Sequence, residues 1–261
     1  MDEKNLFNLK GKVAIVTGGG RGIGKFIARG LAEAGADLTI ASRKLQNCQA
    51  AAEDLKRWGV RVLAVPCDLE RIEDIENLVE KTMTSYDRVD ILVNNAGMTW
   101  GAPTLEFPLD KWKKIMDINV LGTFLLSQRV AKIMISAGGG KIINLASVSG
   151  LRGTREEIQP AVSYNVSKGA LVTMTKDLAV KWAKYNIQVN AIAPGYFATD
   201  MNAYLEKESF QDRRARVIED IPMQRIGGEE DIKGVAVFLA SAAANYITGE
   251  IICVDGGQTA K

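Results

Sequence analysis

Tyr164 and Lys168, in the run Tyr164-Asn165-Val166-Ser167-Lys168, stand four residues apart, which puts a phenol and an ammonium on one helix face. A free tyrosine, with a pKa of about 10, is a poor proton acceptor at neutral pH. An ammonium about 4 Å away, at an effective dielectric of about 20, favours the phenolate by about 4 kcal/mol, or about three pKa units. So tuned, the phenol can exchange a proton with a substrate oxygen in the working range of an enzyme. Such pairs also arise by chance, so position in the chain matters more than spacing. This pair opens a helical segment that follows a strand ending Asn144-Leu145-Ala146-Ser147. Both side chains then face the crevice at the carboxyl edge of a parallel sheet.

A second constellation lies near the start. Thr17-Gly18-Gly19-Gly20-Arg21-Gly22-Ile23-Gly24 follows a short apolar strand and runs directly into a helix. Glycines there permit a tight turn and let backbone N–H groups approach a pyrophosphate at the positive end of the helix, so the turn predicts a dinucleotide site. An NAD site places an acid about 20 residues further on. Here the second strand ends Ile40-Ala41-Ser42-Arg43-Lys44, and Asp37 falls at its far end. Arg43, with Arg21, could clamp a 2′-phosphate, which favours NADP(H) and leaves NAD(H) possible. The other reading of Arg43 and Lys44 is the solvated start of the next helix.

Strands must position these groups. Candidates are Val13–Val16, Leu38–Ala41, Arg61–Val65, Ile91–Val93, Lys141–Leu145, Gln188–Ile192 and Ile251–Val254, several apolar throughout, as in a sheet covered on both faces. Helical periods separate them, as in Ile72, Ile75, Leu78, Val79 and Leu171, Met174, Leu178, Trp182. The alternation predicts an α/β fold: one doubly wound, Rossmann-type parallel sheet of about seven strands with helices on both faces. No linker divides the chain, so residues 1–261 read as a single domain. The polar segment from about 196 to 225 reads as an insertion over the ligand crevice.

Composition narrows the chemistry. The 261 residues include no histidine, which removes Ser-His-Asp and Cys-His nucleophile systems and His-ligated zinc; no metal site is expected. Cys48, Cys67 and Cys253 have neither metal-ligand nor disulfide spacing, and a cytoplasmic setting is expected. With 33 basic and 31 acidic residues, the net charge of +2 makes no case for nucleic acid or an anionic membrane as partner. The start Met1-Asp2-Glu3-Lys4-Asn5 is not that of a secretory signal. The apolar stretch Ile115–Ile135, broken by Asp117, Asn119, Gln128, Arg129 and Lys132, reads as a buried amphipathic helix.

Further motifs fall in a telling order: Cys67-Asp68-Leu69, Asn94-Asn95-Ala96-Gly97, Asn119-Val120-Leu121-Gly122, Ser147, Pro194-Gly195 with Thr199, and Val254-Asp255-Gly256-Gly257. Together with the glycine turn and the Tyr164/Lys168 pair, they resemble the short-chain dehydrogenase/reductases over nearly the whole chain. The resemblance implies an NAD(P)-dependent enzyme interconverting a secondary alcohol and a ketone. Tyr164 would then exchange the proton, and Lys168 would tune it and hold the nicotinamide ribose. Ser147 would hydrogen-bond the oxygen that becomes an alkoxide, and Asn119 would hold a water linking the lysine to solvent. The implied cofactor-binding set is Gly18, Arg21, Gly22, Ile23, Gly24, Ser42, Arg43, Asp68, Leu69, Asn95, Ala96, Gly97, Tyr164, Lys168, Pro194, Gly195 and Thr199. Asp68 would meet the adenine amine, Asn94 the adenosine ribose and Thr199 the carboxamide. The resemblance also implies a homotetramer.

Two branches of the family share the chain's finer features. Leu6–Val13, Ala32–Asp37, Ala41-Ser42-Arg43 and Gly234–Ser241 look like the gluconate 5-dehydrogenases, acting on a sugar acid or polyol. The same features overlap with 3-oxoacyl-thioester reductases acting on acyl-carrier-protein or CoA esters. A non-catalytic NADP-binding sensor or scaffold is a lower alternative, disfavoured by the intact Ser147, Tyr164 and Lys168. Pocket candidates are Met98, Trp100, Leu151, Arg152, Tyr196 and Phe197, more apolar than a small polyol requires. One departure stands out. From Ser147 to Tyr164 the chain is longer than the common pattern, through Gly153-Thr154-Arg155-Glu156-Glu157-Ile158-Gln159-Pro160. Ser149 is a rival for the serine role, and Arg152 or Arg155 either anchors an anionic group or sits in a solvated loop.

Overall fold

β-branched runs covered on both faces form the strands of one parallel sheet. The computed structural model describes residues 5–199 and 211–261. Its strands are β1 (Val13–Thr17), β2 (Asp37–Ser42), β3 (Val62–Pro66), β4 (Ile91–Asn94), β5 (Gly140–Leu145), β6 (Ile187–Pro194) and β7 (Ile251–Val254). They lie in the order β3-β2-β1-β4-β5-β6-β7, with every neighbouring pair parallel. All seven strands read from the sequence are present, with ends that differ by no more than two residues.

Side chains alternate across the sheet and bury on both sides. Ala14, Val16, Leu38 and Ile40 pack under α1 (Gly22–Glu33), α2 (Leu45–Lys56) and α8 (Glu229–Ala240). Ile15, Leu92, Ile142 and Val189 pack under α3 (Ile72–Tyr86), α5 (Thr123–Ser136) and α6 (Val162–Trp182). On either side of β1 the chain winds in opposite directions, to β2 and to β4. That reversal opens a crevice beyond the carboxyl ends of β1 and β4, where open α/β sheets bind ligands.

The middle helix is not regular. α4 (Leu109–Met116) passes through a π-helical turn (Asp117–Gly122) directly into α5. The run Leu109–Ser136 is long and apolar enough to cross a membrane, but half of its apolar window is buried in this fold. Ile115, Leu126, Val130 and Met134 are fully covered, as expected of a core helix. Of the segment from about 196 to 225, Phe197 bridges to Gly227 and α7 (Gln211–Glu219) buries Val217. Residues 200–210 lie outside the described residues.

Gly122 closes the π turn against Leu69, where a Cβ would overlap the Leu69 carbonyl oxygen, a backbone atom that cannot rotate away. Gly122→Ala should therefore destabilise the fold by about 1–3 kcal/mol, as overpacking does. Urea unfolding checks this, and an unchanged midpoint would show that the helix can back away from Leu69.

Candidate active site

The glycine turn is built around a threonine and an asparagine that sequence reading had left without structural roles. The Thr17 hydroxyl accepts hydrogen bonds from the Asn95 and Ala96 backbone N–H groups at 3.1 and 3.0 Å. The Asn95 amide donates back to the Thr17 carbonyl at 2.8 Å. These bonds stitch the end of β1 to the end of β4. A Cβ at Gly24 would overlap both the Asn95 amide and the Gly18 carbonyl, so the packing requires glycine there. Helix α1 starts at Gly22 with no capping side chain and no acid in its first turn. Its first N–H groups and its dipole are thus left for an anion. Thr199 faces the turn, 3.5 Å from where a Gly22 Cβ would stand. Arg43 is exposed at the tip of β2 and has no ion-pair partner among the described residues. Asp37 is at the far end of β2, as expected, paired with Arg61 at 2.6 Å. An uncapped helix, a tight turn and a nearby cation fit a phosphorylated dinucleotide.

The candidate reacting groups assemble one strand over. β5 ends at Leu145, and its carbonyl accepts a 2.5 Å hydrogen bond from Lys168 Nζ. Burial, with Lys168 only 4% exposed, holds this amine down at about 8. The ammonium lies over the Tyr164 ring, 5.5 Å from its centroid. Burial pushes the Tyr164 phenol above its ordinary value, and a hydrogen bond with the Ser147 hydroxyl pulls it partly back. Burial thus acts on the phenol in the direction opposite to that expected of the ammonium. The lysine charge is directed to a backbone carbonyl, desolvation dominates, and the phenol stays protonated at neutral pH. A neutral phenol beside a serine hydroxyl is the form that donates a proton to a carbonyl oxygen.

Ser149 does not compete for that role, because its hydroxyl donates to Gln159 Oε1 at 2.9 Å while its N–H donates to Ser147 Oγ at 3.1 Å. Asn119 sits in the π turn, 1% exposed. Its Oδ1 accepts from the Met98 N–H, and its Nδ2 donates to the Met98 carbonyl and Ser167 Oγ, all at 2.9 Å. The clamp draws Gly97 to Asn119 and Lys168, which lie 3.2 and 3.7 Å from a Cβ built there. The looser π turn gives the side chain this reach, a common use of such turns.

Other expected residues divide. Pro194 and Gly195 close β6, with the Gly195 N–H on the Val254 carbonyl at 3.0 Å. Asp68 follows β3, where its Oδ1 accepts from the Glu70 N–H at 3.2 Å, and Leu69 is buried beside Gly122. Ser42 donates its hydroxyl to the Lys44 carbonyl at 3.0 Å. Asn94 does not border the crevice. It is 3% exposed and donates to Ser127 Oγ and Asn144 Oδ1 at 2.8 and 2.9 Å inside the core. Phe197 is also core, 2% exposed among residues of α1 and α8. Trp100 stays half-exposed with Lys111 Nζ 4.8 Å from its ring centroid, and Tyr196 accepts the Gly227 N–H. Arg152 is engaged: it pairs with Asp220 at 2.5 Å and reaches the Gln258 carbonyl at 3.3 Å.

Comparison with known proteins agrees with this fold. A family model described as "Enoyl-(Acyl carrier protein) reductase" matches residues 18–259. The chain is 42% identical to the 2-dehydro-3-deoxy-D-gluconate 5-dehydrogenase of Dickeya dadantii, over 98% of this chain and 99% of that protein. It is 40% identical to the 3-oxoacyl-[acyl-carrier-protein] reductase of Aquifex aeolicus, over 96% and 98%. The crystal structure of a gluconate 5-dehydrogenase from Burkholderia cenocepacia, in complex with NADP and tartrate, superposes with a TM-score of 0.90 at 36% identity, covering 98% of each chain. The fold and site define a dinucleotide-dependent oxidoreductase. The chain belongs to the short-chain dehydrogenase/reductase family.

The buried lysine has a measurable signature. An unfolded lysine titrates at about 10.4, so between about 8 and that value the unfolded chain binds more protons. The contribution of Lys168 to stability should therefore grow as pH rises from about 8 and be smaller below it. Lys141, also held at about 8 by burial, acts with the same sign. Cys48, Cys67 and Tyr164, whose pKa burial raises, act with the opposite sign, so Lys168→Met should make the change in melting temperature from pH 8 to 10 less positive than in the wild type. An unchanged slope would show that its amine titrates normally.

Proposed function

We propose that the chain is an NADP(H)-dependent dehydrogenase of the gluconate 5-dehydrogenase type, interconverting a secondary alcohol and a ketone on a sugar acid. The observation that carries the reaction is the Ser147 hydroxyl set against a protonated Tyr164 phenol, with Lys168 anchored beneath. The similarity to the Dickeya and Burkholderia enzymes supports the sugar acid and, for the latter, the phosphorylated dinucleotide. When bound, the dinucleotide supplies hydride chemistry. The glycine turn and the start of α1 hold its phosphates, and Arg43 with Arg21 meets the 2′-phosphate. Ser147 orients the substrate oxygen, and Tyr164 gives up its proton as that oxygen gains charge.

Trp100 and Tyr196 flank the substrate in this reading. Arg152 meets a substrate carboxylate only by leaving Asp220. The 3-oxoacyl-thioester reading is favoured by the half-exposed Trp100 and Leu151 and by the Aquifex relative. We also propose a homotetramer, supported by the apolar side chains of Leu105, Leu109, Val180 and Tyr246, which are left more than half exposed.

Assays of 5-keto-D-gluconate, 2-dehydro-3-deoxy-D-gluconate and a 3-oxoacyl thioester with both coenzymes decide the substrate class. Turnover of the thioester alone would sink the sugar-acid reading. Tyr164→Phe should lower kcat at least a hundredfold with NADPH affinity near that of the wild type, because only the proton is lost. Substantial residual turnover would remove the phenol from its role. Arg43→Ala should weaken NADPH about tenfold more than NADH, the scale of a charge-assisted hydrogen bond. Equal losses in a binding titration would remove the 2′-phosphate assignment.

A further inference from the structure

The loop that lengthens the path from Ser147 to Tyr164 touches the segment beyond β4, α7 and Ser149. The Pro160 carbonyl accepts the Ala102 N–H at 2.8 Å, and Glu156 Oε2 accepts the Thr104 N–H at 3.1 Å, both on the segment beyond β4. The Ile158 carbonyl accepts from Arg213 of α7. Gln159, between these ties, turns inward to Ser149, whose own N–H rests on Ser147. The Gln159 backbone is held as well, its N–H on the Arg155 carbonyl at 3.0 Å and its carbonyl accepting from Ala161 at 2.9 Å.

A carboxamide has one acceptor oxygen and two N–H donors. The Ser149 hydroxyl occupies the oxygen, which fixes the plane of the group, while Gln159 Nε2 has no partner among the described residues. Its side chain is only partly buried, so those donors reach solvent or a ligand. They stand two hydrogen bonds from the Ser147 hydroxyl. Of the two cations on the same connection, Arg152 is taken by Asp220 and Arg155 is exposed. A hydroxylated or carboxylated substrate brings acceptor oxygens to this place, whereas an alkyl acyl chain brings none. A site built to donate a hydrogen bond discriminates strongly against a ligand that cannot accept it.

We propose that Gln159 is a specificity-determining residue, its amide donating to a hydroxyl or carboxylate oxygen of the substrate while Ser149 holds it in orientation. The proposal rests on the sugar-acid reading. Gln159→Glu keeps the size and the acceptor for Ser149 but removes the donors, and Gln159→Leu removes both. With 5-keto-D-gluconate and NADPH, each variant should raise KM about tenfold, the scale of one lost polar contact. Cofactor affinity and the pH profile of kcat should not move. Ser149→Ala should raise KM less, because the carboxamide is loosened but retained. An unchanged KM in Gln159→Glu overturns the proposal. So does a parallel loss of kcat, cofactor affinity and melting temperature, which would make Gln159 a loop tie only. A wild-type protein that turns over no sugar acid overturns the functional reading and this inference together; an active wild type with indifferent variants overturns the inference alone.

Discussion

A positive charge bonded to the end of a strand organises this molecule. Lys168 donates to the Leu145 carbonyl at the last residue of β5, and no carboxylate pairs with it among the described residues. Burying an unpaired ammonium is costly by several kcal/mol. The short bond to a carbonyl eases that cost, and the lowered pKa expresses what remains of it. The bond also sets how α6 lies against β5. With Lys168 at Leu145, Tyr164 one turn earlier meets Ser147 two residues past the strand. Gly150 completes the register, since any side chain there would strike the Lys168 and Gly169 backbone.

The strands, their parallel winding and the glycine turn were legible because each rests on local pattern: runs of buried β-branched residues and a strand–turn–helix boundary. Ser147, Tyr164 and Lys168 were legible from their order along the chain, and the structure brings them together. What was hidden depends on distance across the fold. Asn94 and Asn95 are neighbours in sequence, yet one turns into the core on Asn144 and the other onto Thr17. The opposite faces of consecutive strand residues offered a hint. The burial of the phenol was hidden because four-residue spacing says nothing of desolvation, the largest influence on it here. Arg152 read as a free cation because its partner, Asp220, is 68 residues away.

The walls of the site come from separate connections that meet over the carboxyl edge of the sheet. The segment after β4 is clamped by Asn119, the long loop before α6 is tied to it at Ala102 and Thr104, and α7 is tied to that loop at Ile158. In the proposed function these braced connections would set substrate choice, while the chemistry stays on the strand end and helix beneath. Such a division lets relatives share a reaction and differ in substrate, as the gluconate-type and acyl-carrier-type proteins similar to this chain do.

The π-helical turn has a further consequence. A regular helix advances about 100° per residue and a π turn less, because it holds one more residue per turn, so removing one residue from 117–122 to restore even winding would leave what lies beyond it facing nearly as before. Leu126, Val130 and Met134 would keep their cover, while Asn119, placed by the turn, would lose Met98. The irregularity is therefore held in place by the clamp alone: a lineage that deletes one codon here keeps the hydrophobic cover of α5 and forfeits the hold of Asn119 on Met98.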